Sequence, residues 1–245
     1  QGYLNGLQTQ SPNESALPAR HTDFIFSVCG EELGMVGCVA LLLLLSAIQA
    51  NIPVQMFEIE HLSPGIAVFG LAFMTLFSAT LIAKDRRSSF MHRLYTTPMT
   101  SRDFILGYTL PIIPFAIAQC VICYIAAILL GLDITVHILS AILFILPVSI
   151  LFIALGLLFG SVLTDKQVGG ICGALLTNLS AWLSGVWFDL ELVGGVFEKI
   201  ANALPFVHAV EMEKALFSGD FGLVATHILP IVLYSAAITV MAVFC

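Results

Sequence analysis

Two runs without a single charged residue, 64–83 and 104–132, flank a twenty-residue stretch that holds five of the chain's nine Lys and Arg: Lys84, Arg86, Arg87, Arg93 and Arg102. Few folds tolerate that pattern. About 20 consecutive apolar residues cover the roughly 30 Å hydrocarbon core of a bilayer. Basic residues beside such a span stay on the cytoplasmic side. The pattern predicts an integral membrane protein and sets its orientation, with 84–103 as a cytoplasmic surface. Composition agrees. The chain is 59% hydrophobic and 10% charged, with a mean hydropathy of +1.01, whereas a soluble domain carries about 25% charged residues. Its 245 residues have room for about six spans and little else.

Six spans can be read, giving an all-α fold. They are 33–51, 64–83, 104–132, a stretch within 134–164, 167–188 and 221–245. Ser63 followed by Pro64 reads as an N-cap and first helical position. Thr100 with Asp103 has the spacing of a capping box ahead of the third span. Pro111, Pro114, Pro147 and Pro230 fall inside spans, where membrane helices accommodate proline as a kink.

Charge sidedness supports the orientation. The inside loops, 84–103 and Asp165–Lys166, hold six basic residues. The outside loops hold only Lys199 and Lys214, against Glu58, Glu60, Asp133, Asp189, Glu191, Glu198, Glu211, Glu213 and Asp220. Both termini then face the cytoplasm. The polar segment 1–32, with Arg20 as its one basic residue, is assigned no fold. It lacks a charged start followed by an apolar stretch, so it is not a secretory signal. It reads as a truncated or atypical N-terminus ahead of a permease domain at 33–245.

The outer stretch 189–220 is too polar for a span. Val196, Phe197, Ile200, Ala203 and Leu204 recur at helical spacing, and Pro205 is placed to start a second short helix ending near Phe217. Ten helical residues cover about 15 Å. The expectation is a pair of short helices, either re-entrant or lying on the membrane surface.

Several residues then fall into a family order. Pro64-Gly65-Ile66 opens a span, and a charged stretch follows. Next come Arg93-Leu94-Tyr95-Thr96-Thr97-Pro98-Met99-Thr100 and Ile105-Leu106-Gly107. Gly185 closes the fifth span, and Leu204-Pro205-Phe206 follows the outer segment. This order resembles the permease subunit of the type-2 ATP-binding-cassette exporters, whose pattern is roughly Leu-Glu-Arg-Leu-Leu-x-Thr-Pro-x-Ser and then Leu-x-Gly-Lys. The likeness runs from 33 to 245. His92 stands in place of the family's Glu, Tyr108 in place of its Lys, and Asp189 in place of its Pro.

An exporter needs an energy source, and a phosphate-binding loop needs Gly-Lys followed by Ser or Thr. This chain contains no Gly-Lys dipeptide. The expected partner is a separate ATPase subunit, which carries ATP and Mg; none is bound by the permease itself. Its docking surface is cytoplasmic, and 84–103 is the one sizeable stretch there. Phe90 with Leu94, and Met91 with Tyr95, form i,i+4 pairs. Arg86, Arg87 and Arg93 ring them, and Thr97-Pro98 ends the helix. Apolar anchors with a basic rim suit a groove on a partner. The rival reading is contact with anionic lipid headgroups, which needs the charge but not Phe90, Leu94 or the Thr97-Pro98 turn. The resemblance further implies a second permease copy or paralogue, and no nucleic acid as partner. It implies a multi-pass location in the plasma or inner membrane of a bacterial or archaeal cell.

Other features read blandly. Cys120 and Cys123 form a CxxC inside an apolar run, where packing rather than metal or redox chemistry is expected. Gly156 with Gly160, and Gly169 with Gly173, have the spacing of close helix packing, within the chain or at a dimer seam. Asn13-Glu14-Ser15 matches a glycosylation acceptor but faces the cytoplasm on this topology. His137 and His227 sit at outer span ends, as side chains that snorkel.

The runner-up function is a membrane-embedded hydrolase using Ser184 and His208. Ser184-Gly185 is superficially like an intramembrane serine-protease site, but Trp182 stands where such a site has Gly. Charge-free span interiors argue against an ion-coupled carrier. With Tyr and Trp totalling seven, aromatic-lined carbohydrate conduits are disfavoured too. The expected cargo is a drug, peptide antibiotic or other amphipathic or lipidic solute, with polysaccharide or lipid-linked cargo as the alternative.

Overall fold

The computed structural model describes residues 36–48, 59–87, 96, 100–187 and 190–244, and among them the fold is helical throughout. The elements are α1 (Val36–Ile48), α2 (Ile59–Arg87), α3 (Ser101–Leu129), α4 (Val136–Val162), α5 (Asp165–Val168), a π-helix (Gly169–Leu176), α6 (Thr177–Leu183), α7 (Leu190–Val193), α8 (Gly195–Ala203), α9 (Pro205–Ser218) and α10 (Phe221–Phe244). The expectations for 1–32 lie outside the described residues.

Four helices are long and apolar enough to cross a membrane: α2, α3, α4 and α10, with mean hydropathies of 2.2, 2.4, 2.9 and 2.0. Their lengths of 24 to 29 residues correspond to about 36–44 Å. A helix satisfies all its own backbone groups, which is what hydrocarbon demands. These four match the second, third, fourth and sixth expected spans. The first appears as the thirteen-residue α1, whose flanks fall outside the described residues. The fifth appears as α5, the π-helix and α6 in succession, closed by Gly185 at φ +71.

Local signals explain most boundaries. The Thr100–Asp103 capping box forms: Asp103 N donates to Thr100 Oγ1 at 3.3 Å, and Thr100 N donates to Asp103 Oδ2 at 2.9 Å. A second such pair opens α5, where Thr164 N donates to Gln167 Oε1 at 3.0 Å. Pro205 is the first residue of α9, and the left-handed Gly219 (φ +76) ends it. One boundary is corrected. α2 begins at Ile59, so Pro64 lies inside the helix and Ser63 is no cap. The Ser63 hydroxyl is buried without a partner. Pro64 is the sixth residue of α2, where a proline gives up one backbone hydrogen bond, a loss that membrane helices accommodate.

α2 is the central helix, packed against α3, α4, the π-helix, α6 and α9. Its seam with α4 is built from small residues. A Cβ on Gly156 would lie 1.7 Å from Ser78 Oγ and 2.7 Å from the Thr75 carbonyl; one on Gly160 would lie 2.9 Å from the Ala79 carbonyl. Thr75 Oγ1 donates to the Phe152 carbonyl across the seam at 2.7 Å. Gly156 and Gly160 thus serve packing within the chain rather than a dimer seam. Cys120 and Cys123 are buried core residues, as packing requires, and Cys120 Sγ donates to the Ala67 carbonyl at 3.9 Å.

The outer stretch forms the two short helices expected, α8 and α9. α9 is inserted into the bundle against α2, α4 and α10, burying Phe206, Val210, Met212 and Leu216. α8 leaves Val196 and Ile200 exposed while Ala201 packs inward.

Candidate functional site

The residues assigned to opposite sides by charge gather at opposite ends of the bundle. At the basic end, α2 finishes with Lys84, Arg86 and Arg87. The Arg86 guanidinium donates to the Gly160 carbonyl at 3.1 Å and to the Ser161 carbonyl, both in the last turn of α4. Tyr108 on α3 donates to Asp85 Oδ2 at 2.7 Å, and its ring packs on Phe104 at 4.7 Å. The two helices that frame residues 88–99 are therefore joined to each other and to α4. Arg86 and Arg87 are both exposed, and Thr96 is an exposed turn residue. Phe90, Met91, Arg93, Leu94, Tyr95, Thr97 and Pro98 lie outside the described residues.

At the acidic end a cavity of about 430 Å³ opens. α2 supplies Glu60 and His61, the α3–α4 turn supplies Asp133, α9 supplies Glu211 and Lys214, and α10 supplies His227. Lys214 Nζ donates to Glu211 Oε1 at 3.0 Å and to the Gly185 carbonyl at 3.3 Å, fixing α9 to the turn after α6. His208 Nδ1 and His227 Nδ1 lie 3.0 Å apart, so one ring donates and the other accepts. Burial, then His227, holds the His208 imidazole below its usual range. His227 therefore does more than snorkel.

Behind the cavity wall sits a group that sequence reasoning placed in an outer loop. Glu213 is fully buried. Tyr124 donates to its Oε2 at 3.1 Å, while Oε1 has no partner. Burial raises the carboxyl from 4.5 to about 8, opposed by the Tyr124 hydrogen bond. The signal was present: Val210, Leu216 and Phe217 lie three or four residues away, so Glu213 is on the apolar face of α9.

The sign of the pH effect follows. A carboxyl whose folded value is raised contributes stability that is full below 4.5 and lost as pH rises through about 8. Thermal unfolding of the purified permease should show this Glu213 component as a falling midpoint between those limits. Glu213→Gln should remove that component of the slope; an unaltered slope would rule out Glu213 as its source.

The structure does not pair Ser184 with His208. Ser184 Oγ donates to the Ala181 carbonyl at 3.3 Å, and His208 is engaged with His227. The hydrogen bond from a serine nucleophile to its histidine base that covalent hydrolysis uses is therefore not formed by these two residues.

Comparison with known proteins places the chain. No solved structure matches it. A 43-residue stretch is 56% identical to the peptidoglycan glycosyltransferase MrdB of Escherichia coli K12, and equally to that of Shigella flexneri. That match covers 18% of this chain and 11% of the relative, so the chain spans about a tenth of the length of these curated relatives. The family model for ABC-2 type transporters matches residues 25–217, most of the chain. The chain belongs to the ABC-2 type transporter family.

Proposed function

We propose that this permease works in an ATP-driven exporter of two permease chains and two ATPase chains, moving drugs, peptide antibiotics or other amphipathic or lipidic solutes out of the cell. The observation that carries the reading is the join at the basic end. The stretch 88–99 is framed by α2 and α3, and Arg86 and Tyr108 tie those helices into the bundle. A push on this stretch therefore meets a braced structure. The chain crosses the membrane six times, with α1 as the core of the first crossing. α5, the π-helix and α6 form the fifth, together nineteen residues, or roughly 28 Å at α-helical rise. α9 is the re-entrant element on the external side. The membrane is the plasma or inner membrane of a bacterial or archaeal cell.

Orientation has a direct check. In a variant stripped of reactive cysteines, Ser88→Cys should react with an impermeant thiol reagent only after the cells are opened. Lys199→Cys should react in intact cells. Labelling of position 88 from outside would overturn the orientation.

The function itself is tested by co-reconstituting the permease with its ATPase in proteoliposomes. ATP-dependent movement of an amphiphilic dye, absent with a hydrolysis-dead ATPase, is the expected result. An ATPase that docks and hydrolyses ATP while no amphiphile moves would remove this cargo class in favour of polysaccharide or lipid-linked cargo.

A further inference from the structure

We infer that Arg86 is a positioning residue for transport: it locks the basic end of α4 to α2, so that a displacement of residues 88–99 reaches α4, to which that stretch is not covalently adjacent. The inference rests on the docking reading of 84–103 but gives the exposed Arg86 a second role, as a bridge from α2 to the last turn of α4.

The last four carbonyls of an α-helix have no partner within the helix, and they carry the negative end of its dipole. In α4, which ends at Val162, the Phe159 carbonyl accepts from Leu163 N. Thr164 N, next in line for the Gly160 carbonyl, donates to Gln167 Oε1 instead. The Gly160 and Ser161 carbonyls are thus left to a donor from elsewhere, and Arg86 supplies it. A guanidinium can reach two neighbouring carbonyls from one side chain, which a lysine ammonium does less well. Arg87 has the same charge one position on, yet makes no such bond among the described residues.

The place of this clamp gives it a mechanical meaning. From Thr75 to Arg86, α2 is held to α4 by four successive contacts: the Thr75–Phe152 hydrogen bond, Ser78 against Gly156, Ala79 against Gly160, and the Arg86 clamp. The first three lie within the apolar span. Only Arg86 acts at the end where residues 88–99 begin. The opposite ends of the same two helices bring Glu60 and the Asp133 turn to the outer cavity. With the clamp in place, α2 and α4 move as one body and carry two walls of that cavity together. Without it, α2 can pivot on the glycine seam while α4 stays still.

The experiment uses the permease–ATPase complex in lipid nanodiscs and proteoliposomes, and adds a distance measurement on the permease alone. Arg86→Ala should retain the ATPase on purification as well as the parent does, and lose about two- to fivefold in solute moved per ATP hydrolysed, in keeping with loss of an exposed cation at a helix C-terminus. Arg86→Lys should recover part of that loss, and Lys166→Ala, which removes an exposed cation just beyond α4, should behave as the parent. Spin labels at Arg87 and Val162 should give a narrow distance distribution in the parent and a broad one in Arg86→Ala. Loss of ATPase capture in Arg86→Ala would make the residue a docking group and overturn the inference. So would an unchanged distribution with unchanged transport. A parent chain that captures no ATPase would sink the exporter reading itself, and the spin-label arm distinguishes that result from the fate of the clamp.

Discussion

Leu94→Asp should abolish capture of the ATPase while leaving the permease inserted and folded. On the docking reading, Leu94 and Phe90 are the apolar anchors of 84–103. A carboxylate in place of an anchor must be buried unpaired or must hold the groove open. Either costs several kcal/mol, and every 1.4 kcal/mol is a factor of about ten in the dissociation constant. A modest interface is lost at that cost. Arg93→Glu should weaken capture less, and most at low salt, because a rim charge is screened by salt. The lipid-headgroup alternative makes a different forecast: Leu94→Asp should then matter less than loss of the exposed Arg86 and Arg87. Co-purification of the ATPase with each variant, beside solute-stimulated hydrolysis, separates the two. Normal capture and normal stimulation in Leu94→Asp would remove the segment as the coupling element.

The second large effect is expected in the α2–α4 seam. Gly156→Ala would place a methyl 2.7 Å from the Thr75 carbonyl, a backbone atom that cannot step aside, and 1.7 Å from Ser78 Oγ. Ser78 can rotate, at the loss of its 2.8 Å bond to the Met74 carbonyl; Thr75 cannot follow without moving α2. Overpacking of this kind costs about 1–3 kcal/mol, and Gly156→Leu should exceed the range and prevent assembly of the bundle. Gly107 is the control. A Cβ there meets nothing within 4 Å, and alanine is favoured over glycine inside a helix by about 1 kcal/mol. Thermal midpoints by fluorescence-detected gel filtration should fall for Gly156→Ala and hold or rise for Gly107→Ala. Equal midpoints would mean that α2 and α4 do not approach as closely as described.

What the sequence made legible was local. Thr100 and Asp103 are three residues apart, and Pro205 and Gly219 bracket a single helix, so their roles follow from short-range chemistry. The apolar runs are similarly self-declaring, because hydrocarbon imposes a length on them. Glu213 counts with the outer acids because charge sidedness weighs each acid by its place in the chain and not by the helix face it occupies. It is buried only because α9 turns that face towards Tyr124, 89 residues away. The His208–His227 contact needs α9 laid against α10. Arg86 was read as a rim charge, and the carbonyls that claim it lie 74 and 75 residues further on. Ser63 failed for a simpler reason: a cap signal next to a proline was taken as a boundary when the helix runs through it.

α9 carries two proton ledgers of opposite sign within six positions. Glu213 is most at ease when it keeps its proton, and its contribution drains away as the surroundings become alkaline. His208 is most at ease without a second proton beside His227; its lowered value means that its contribution fades as the surroundings turn acidic, starting near its ordinary 6.5. Neither extreme satisfies both. The inserted helix is seated best at intermediate acidity and loosened from either direction, by a Glu213 carboxylate that must find water on one side and by a half-buried His208 imidazolium on the other.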